Sequence, residues 1–443
     1  MKLRKIVYLL SCLSVMLIFC GCNLELASPE SLITPPKSNQ EKLQQKQLVT
    51  SFLGREESLI MPEALNSANA YQHLDLDGDG EEEIIAFYTN KESNFMLGFL
   101  ILKQSENQWF LKHKAVAYGT DIDYFSVQDL DEDGSTEILL GVSTGYGSQK
   151  ELYLYQMTEQ ELVDIADGEH VVYDQIALAH NEQNGNVIVT ARMDTSVLEG
   201  SSNITVYDYN YGTLAPVYNE TFTGYCSEMR FEQVGENTEG VYLAMRHNHF
   251  VNILLLKETQ DGFAVVMEHP LPYDYEEMSR IQMFRDENND GIVEIISLWS
   301  PEINDSTKGY EEFIQVWLQW DGMEGLQAVD AILESSSDGY RFSVPLEWMD
   351  SLYYDFRSQD TIVWADFYAE NDNMKFETVF SIAAIDQIVW DNMEQTGNMV
   401  VLGNNPTKNK IYVAEIRKGE FNGFRVDASR LISCLQIEGG ERK

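Results

Sequence analysis

The sequence has 443 residues, 44% of them apolar, and a formal net charge of −42. A chain of this length can bury one large core or two ordinary ones, and this apolar content excludes general disorder. The acidic excess excludes a general binding surface for nucleic acids or anionic lipids, which requires basic patches. We therefore expect a folded protein with an acidic, solvated surface and no nucleic-acid partner.

The N-terminus has the layout of a secretory signal peptide. Basic residues at positions 2, 4 and 5 precede an almost unbroken apolar run over residues 6–19, which is too short to span a bilayer comfortably. The ending LIFCGC resembles a bacterial lipobox, with Gly21 before the cleavage point and Cys22 as the new N-terminus. The resemblance implies a signal peptide over residues 1–21 and a lipid on Cys22 that anchors the protein to the extracytoplasmic face of the cell membrane. An ordinary cleaved signal or an uncleaved anchor is the alternative.

Residues 22–46 form the next segment and are rich in Ser, Pro, Gln and Lys. Few large apolar side chains are present to bury. This composition predicts a flexible tether between the membrane and the folded part.

The cysteine content argues against a fold held by disulfides. Cys12 and Cys20 leave with the signal peptide, so Cys226 and Cys434 are the two that remain beside Cys22. Two buried thiols are favoured over one disulfide between them.

One acidic motif recurs along the rest of the chain at a regular spacing. It reads Asp-x-(Asp/Asn)-x-Asp-Gly-x-x-Glu-Ile-(Ile/Leu) and begins at Asp75, Asp129 and Asp286. Two degenerate copies centre on Gly185 and Gly240. The five motif glycines are spaced 54, 51, 55 and 51 residues apart, which makes a chance origin improbable.

Each period of this repeat contains four strand-like runs. In the second period they are YFSVQDL, EILLGVST, ELYLYQM and ELVDIAD, separated by turn residues. The pattern predicts a mainly β fold with four antiparallel strands per repeat. Four strands in about 50 residues are typical of the blade of a β-propeller, which hides its strand edges by closing in a ring.

The motif does not fit an EF-hand. That loop requires a bidentate Glu at position 12 and flanking helices, whereas position 12 here is Ala86, Leu140 or Ser297 and the flanks are strand-like. A glutamate stands instead at position 9 of all three copies.

An Asp-x-Asp-x-Asp-Gly-x-x-(Asp/Glu) motif between two strands resembles the FG-GAP/VCBS repeat of integrin-type β-propellers. The resemblance covers residues 63 to about 333, and we assign residues 47–333 to propeller repeats. It implies a calcium ion in the hairpin between the first two strands of a blade. Carried over by position, the ligand side chains are Asp75, Asp77, Asp79 and Glu83; Asp129, Asp131, Asp133 and Glu137; and Asp286, Asn288, Asp290 and Glu294. The position-7 carbonyl ligands are those of Glu81, Ser135 and Ile292.

Elementary electrostatics is consistent with calcium sites. A hard cation takes several oxygens at about 2.3–2.6 Å, and alternate residues of a tight loop converge on one point. Without a cation, carboxylates this close repel one another. Asn288 removes one charge, so the third site is predicted to be the weakest, and the degenerate copies are predicted to be metal-free turns. Acidic turns that hold no ion are the alternative.

The period fades after residue 333. The stretch DASRLISCLQI predicts a terminal helix capped by Asp427. Residues 334–443 fit either a small C-terminal α+β domain or two degenerate blades that would complete a seven-bladed ring. The terminal helix slightly favours the separate domain.

No catalytic residues are predicted, because the sequence contains no nucleophile elbow, zinc-protease motif or phosphate-binding glycine loop. We therefore expect a binding or scaffolding module for a protein or carbohydrate at the cell surface. A propeller enzyme acting on polysaccharide is the alternative, and fold alone does not name a partner.

Overall fold

A computed structural model describes residues 38–62, 70–145, 149–158, 160–165, 170–181, 185–197, 199–210, 212–247, 250–271, 282–299, 314–323, 325–359, 361–371, 373–439 and 441–442. The predicted signal peptide, Cys22 and residues 23–37 of the predicted tether lie outside these ranges. No helix within them is long and apolar enough to cross a membrane.

The chain forms two compact units. Among the described residues, the first unit comprises 38–61, 70–75 and 80–116, and the second comprises 62, 76–79 and the residues from 117 onward.

The first unit contains one helix and the first sheet. The elements are α1 (Ser38–Ser51), β1 (Glu57–Leu59), β2 (Tyr71–Leu74), β3 (Glu83–Asn90), β4 (Ser93–Ser105) and β5 (Gln108–Tyr118). The strand order is β1-β3-β4-β5, with β2 also paired to β3. Helix α1 begins inside the segment predicted as tether, a difference that has two physical reasons. The last prolines precede Ser38, where helix-forming Gln, Glu, Lys and Leu take over, and Val49 is fully buried among Tyr71, Ile84 and Leu100.

The second unit begins with three consecutive sheets. The second sheet contains β6 (Asp121–Gln128), β7 (Glu137–Ser143), β8 (Lys150–Met157), β9 (Leu162–Asp164) and β10 (Val171–Tyr173). The third contains β11 (Gln175–Asn181), β12 (Gly185–Asp194), β13 (Ser201–Asn210) and β14 (Thr213–Thr223). The fourth contains β15 (Tyr225–Gly235), β16 (Thr238–His247), β17 (Phe250–Thr259) and β18 (Gly262–Leu271). The third and fourth are four-stranded antiparallel meanders with neighbours in chain order.

The fifth and sixth sheets contain the C-terminal strands. The fifth, in order, is β19 (Phe284–Arg285), β20 (Glu294–Trp299), β21 (Ile314–Trp320), β22 (Leu326–Ser335), β23 (Tyr340–Ser343) and β31 (Leu435–Ile437). The sixth contains β24 (Tyr353–Gln359), β25 (Ile362–Glu370), β26 (Phe376–Asp386), β28 (Lys410–Ile416), β27 (Met399–Asn405) and β32 (Glu441–Arg442). The remaining elements are a 3-10 helix (Leu346–Trp348), α2 (Gln387–Asn392), α3 (Ala428–Cys434) and the hairpin of β29 (Glu420–Phe421) and β30 (Phe424–Arg425).

The burial of the strands follows from their sequences. In β7 the run EILLGV is buried at every position, as expected for an inner strand covered on both faces. The outer strand β14 is mostly exposed. The prediction of a mainly β fold of antiparallel sheets is confirmed, and the third and fourth sheets have the four strands predicted for each repeat.

Neighbouring sheets of the second unit share hydrophobic cores. Ala177 and Val189 of the third sheet pack in one cluster with Met229 and Leu243 of the fourth. The fourth and fifth sheets share a second cluster in the same way, and the second and third a further one. The second, third and fourth sheets therefore each bury apolar side chains against the next sheet in the chain.

The C-terminal residues are joined to the fifth sheet. The predicted boundary at residue 334 falls inside β22, and β31 near the chain end pairs with β23 of the same sheet. One cluster contains Leu333, Phe342, Trp348 and Leu435. The predicted terminal helix is present, and Asp427 caps it by accepting a 2.9 Å hydrogen bond from the Arg430 N–H.

Cys226 and Cys434 are both free and buried, as the sequence favoured. Burial raises the pKa of the Cys226 thiol to about 12. The fold therefore depends on packing and hydrogen bonding, with no disulfide among the described residues.

Candidate metal centre

The three intact motifs occupy the same place in three sheets. We name them the first loop (75–83), the second loop (129–137) and the third loop (286–294). Each lies in the hairpin between two antiparallel strands, and its last residue is the glutamate that begins the second strand of that hairpin. The closing pairs are Leu74 with Glu83, Gln128 with Glu137, and Arg285 with Glu294.

The three loops share one backbone conformation. The residues at positions 4 and 6 have positive φ angles in every loop. At position 4 the angles are 70° for Gly78, 57° for Glu132 and 60° for Asn289, and at position 6 they are 86° for Gly80, 86° for Gly134 and 85° for Gly291. No atom lies within 4 Å of where a Cβ would stand on the three position-6 glycines. Glycine is therefore required there for its left-handed backbone and not for space.

The first aspartate of each loop holds the turn closed. The position-6 N–H donates a 3.0 Å hydrogen bond to its Oδ2 in all three loops, from Gly80, Gly134 and Gly291. The position-5 N–H donates to its Oδ1 at 3.1 Å in the second and third loops. Two backbone donors thus hold this carboxylate in the second and third loops, and the Gly80 N–H holds it in the first.

The closing glutamates are the most deeply buried acids of the loops. Glu83 is 1% exposed, and Glu137 and Glu294 are 0% exposed. One oxygen of the glutamate accepts a backbone hydrogen bond across the loop, from Leu130 N–H to Glu137 at 3.0 Å and from Glu287 N–H to Glu294 at 2.7 Å.

The three loops differ in what contacts the second carboxylate oxygen of the closing glutamate. Lys103 Nζ lies 3.0 Å from Glu83 Oε1, and Gln319 Nε2 donates to Glu294 Oε1 at 3.2 Å. Glu137 Oε1 is buried and has no hydrogen-bond partner among the described residues. A buried carboxylate oxygen without a partner is energetically costly, so the second loop fits a bound cation best.

Carboxylate oxygens converge in two of the loops. Ligand atoms of Asp129, Asp131 and Glu137 lie within 4.8 Å of one another, as do those of Asp75, Asp77 and Glu83. These two acidic groups can hold a metal ion.

The third loop forms no group of three acids of this kind within the part of the chain that the structure describes. At position 3 it has Asn288, whose Nδ2 donates to Asp290 Oδ2 at 2.9 Å.

Contacts can be given for only some of the residues at positions 5 and 7. Asp133 Oδ1 accepts the Ser135 N–H at 2.7 Å, and Asp290 Oδ1 accepts the Ile292 N–H at 2.8 Å. Asp79 and Glu81 are exposed. The carbonyl oxygens of Glu81, Ser135 and Ile292 stay predicted ligands.

The electrostatics of the second and third loops favours added positive charge. Burial raises the pKa of Glu137 to about 7, and the negative charges of Asp131, Asp133 and Asp129 add to this effect against the opposing Leu130 N–H. Burial likewise raises the pKa of Glu294 to about 7, with Asp290 and Asp286 contributing. A cation among these oxygens would relieve both the desolvation and the repulsion.

The two degenerate copies differ from each other. Gly185 keeps a φ of 86°, the value found in the intact loops. Gly240 lies inside β16, and Asn237, with a φ of 53°, makes the turn instead. Only the third repeat therefore preserves the glycine conformation without the carboxylates.

A cleft of about 510 Å³ lies at the turn end of the fourth sheet. Its lining includes the rings of Phe231 and Phe263 and the polar side chains of Gln233, Asn237 and Lys257. Its size is in the range of small-ligand pockets. These residues come from separate strands with no common spacing, so the cleft could not be predicted from the sequence.

The chain was compared with known proteins. No protein-family model matches it, and no curated protein matches it. Among solved structures, it is similar to the exotype rhamnogalacturonan lyase YesX, with a TM-score of 0.30 and 13% identity over 83% of this chain and 76% of that one. It is also similar to a protein from Lactobacillus plantarum, with a TM-score of 0.27 and 9% identity over 73% of this chain and 92% of that one. Similarities of this size carry no argument about function.

Proposed function

We propose that the protein is a calcium-binding β-propeller of the FG-GAP/VCBS type that acts as a binding or scaffolding module on the outer face of a bacterial membrane. The four-stranded sheets would be consecutive blades, and the three loops would hold calcium at blade hairpins. The sharing of hydrophobic cores between consecutive sheets of the second unit supports this arrangement. The ligand would be a protein or a carbohydrate.

One observation carries the calcium assignment. Glu137 Oε1 is buried without a hydrogen-bond partner among the described residues, and its carboxylate stands beside those of Asp129 and Asp131. Three acidic side chains in this arrangement supply the hard oxygen ligands that calcium takes in proteins. The flexible, all-oxygen loop fits calcium better than magnesium, which demands a tight octahedral shell.

Calorimetric titration of chelator-stripped protein tests this assignment. We expect about three calcium sites with the affinities of extracellular modules and poor substitution by magnesium. Glu137→Gln should remove one site, whereas Glu236→Gln, at an exposed turn of the fourth sheet, should remove none. A folded protein that binds no calcium would contradict the assignment.

The membrane anchor is proposed from the sequence LIFCGC alone. Mass spectrometry of the mature N-terminus should find a lipid on Cys22, and Cys22→Ala should leave the protein unprocessed or released from the membrane. A mature N-terminus at any other residue would contradict the anchor without affecting the calcium assignment.

The binding role is tested by capture from intact membranes and cell-wall polysaccharide with the calcium-loaded protein. A binding module is supported if chelation abolishes the capture and the captured molecule is recovered chemically unchanged. Release of cleaved polysaccharide fragments would overturn this role in favour of an enzyme.

A further inference from the structure

The second loop is hydrogen-bonded to the third sheet through Asn186, at the start of β12. The backbone N–H of Asn186 donates to the Leu130 carbonyl at 3.0 Å, and its side-chain Nδ2 donates to the Asp129 carbonyl at 3.1 Å. Leu130 is fully buried and packs in one cluster with Ile188, which also lies on β12. The start of β12 therefore holds the peptide groups on both sides of Leu130.

These two peptide groups connect the predicted ligands of the second loop. The peptide between Asp129 and Leu130 accepts the Asn186 side chain at its carbonyl, and its N–H donates to Glu137 Oε2 at 3.0 Å. The next peptide joins Leu130 to Asp131. Because hydrogen bonds in a chain polarise one another, the Asn186 amide strengthens the bond that orients the Glu137 carboxylate. Asn186 is thus linked to all three acids that converge in this loop.

A glycine next to Asn186 permits this close approach. Gly185 has a φ of 86°, and a Cβ on it would stand 2.8 Å from the Leu130 carbonyl oxygen and 3.2 Å from Glu132 Cγ. The first of these distances is shorter than a real Cβ atom makes, so a side chain here would push the second loop away from β12. The third repeat therefore retains the loop glycine, although the aspartates of the motif are not present there.

The third loop is held by a different contact. Its Val293 N–H donates to the Gln233 carbonyl at 2.8 Å, and the Tyr242 hydroxyl donates to the Val293 carbonyl at 3.3 Å. Both partners belong to the fourth sheet, which precedes this loop in the chain. A change at Asn186 should therefore affect the second loop and leave the third loop unaltered.

We propose that Asn186 is a positioning residue for the calcium site of the second loop, and that it couples binding of the ion to the packing of the third sheet on the second. The inference rests on the proposed calcium function. Loss of a residue that orients metal ligands typically weakens metal binding about 10- to 100-fold. Because such coupling is reciprocal, the ion in turn stabilises the start of β12, in a repeat that is predicted to hold no ion of its own.

Calorimetric calcium titration of chelator-stripped wild-type protein and Asn186→Ala tests the positioning role. We expect the variant to bind calcium about tenfold or more weakly at one site, with the other sites unchanged. Asn210→Ala, at the exposed end of β13 in the same sheet, is the matched control and should bind as the wild type does. If the wild type itself binds no calcium, the proposed function fails and this inference fails with it. If the wild type binds calcium and Asn186→Ala binds it equally well, only this inference fails.

A second pair of variants disturbs the same contact without changing Asn186. Gly185→Ala and Gly212→Ala both place a side chain at a positive φ, 86° and 76°, so both should lose stability through backbone strain. The new Cβ would meet the second loop only at Gly185, since no described atom lies within 4 Å of the Cβ position on Gly212. We expect weaker calcium binding at one site in Gly185→Ala alone. Equal calcium affinities in the two variants would overturn the proposal.

Hydrogen exchange separates a coupled residue from a merely structural one. In the wild type, added calcium should slow exchange at the start of β12 as well as in the second loop. In Asn186→Ala this effect of calcium on β12 should be reduced, and in Glu137→Gln it should be lost. A purely structural Asn186 would instead give faster exchange to the same extent with and without calcium. That result, or wild-type protein in which calcium slows exchange in the second loop and not in β12, would contradict the coupling.

Discussion

At the scale of single residues, the closing glutamate is the most informative member of the motif. It begins a buried strand, where an apolar side chain would be favoured. It also lies among the loop acids, where an ionised carboxylate is needed to bind a cation. In Glu137 the two requirements conflict, since the group is 0% exposed and one oxygen has no hydrogen-bond partner among the described residues. A residue selected only for folding would be expected to be apolar at such a position.

The stability of the metal-free protein should fall as pH rises. The pKa of Glu137 is raised from 4.5 to about 7 in the folded state, so folding favours the protonated form. Stability from this group is fully present below about pH 4.5 and is lost by about pH 7, a loss of about 3 kcal/mol. Glu137→Gln has no proton to lose, so in chelator it should be more stable than the wild type at pH 8 by about this amount and similar at pH 4.

Urea unfolding at the two pH values measures this difference. Glu161→Gln, at an exposed turn of the second sheet, is the control and should follow the wild type. An equal difference between Glu137→Gln and the wild type at both pH values would show that the carboxyl is not titrating as described.

At the scale of elements, the loop is a self-contained unit of sequence and structure. Its predicted ligand residues alternate within nine residues, and its two positive-φ positions recur in all three copies. The position and backbone of the loops, and the convergence of three acids in the first and second loops, could for that reason be predicted from the sequence. Because the three loops share one backbone, differences in their affinity for calcium should follow from the residues at single predicted ligand positions.

Asn288→Asp should tighten calcium binding at the third loop. The change restores a carboxylate at position 3 and removes the amide that donates to Asp290. We expect about a tenfold gain in affinity at one site in calorimetric titration, since affinity in oxygen sites rises with ligand charge. Asn289→Asp adds the same charge one residue away, at position 4, and is the control. Equal tightening by both variants would assign the gain to net charge and not to ligation.

At the scale of the whole molecule, the features that could not be predicted from the sequence are those in which residues distant in the chain are brought together by the pairing and packing of strands. The cleft at the fourth sheet is one example, because the register of β15, β16 and β17 brings Phe231, Gln233 and Lys257 to its lining. Asn186 is another, since it donates hydrogen bonds to the Leu130 and Asp129 carbonyls of the second loop only because the second and third sheets pack together. The predicted boundary at residue 334 lies where the repeat pattern fades, and β23 and β31 continue the fifth sheet beyond it. Repeat periodicity predicts local turns and does not predict these pairings.

The shared C-terminal core leads to a prediction about fragments. Leu333 is 1% exposed and packs in the cluster that also holds Phe342, Trp348 and Leu435. A fragment of residues 334–443 would lack β21 and most of β22, and so would expose much of this cluster. We expect it to show no cooperative thermal unfolding by circular dichroism. A sharp transition for the fragment would instead identify an independent domain.

Helix α1 has a consequence for how far the protein would extend from the proposed lipid anchor. Because the helix begins at Ser38 and its Val49 is packed in the first unit, a lipid on Cys22 would be separated from the helix by residues 22–37 only. Sixteen residues at full extension reach roughly 55 Å, so the first unit would remain within about that height above the bilayer. A partner would therefore have to be membrane-attached or to penetrate this layer. Extending the tether, with no change to the folded surface, should then allow the protein to reach more distant partners.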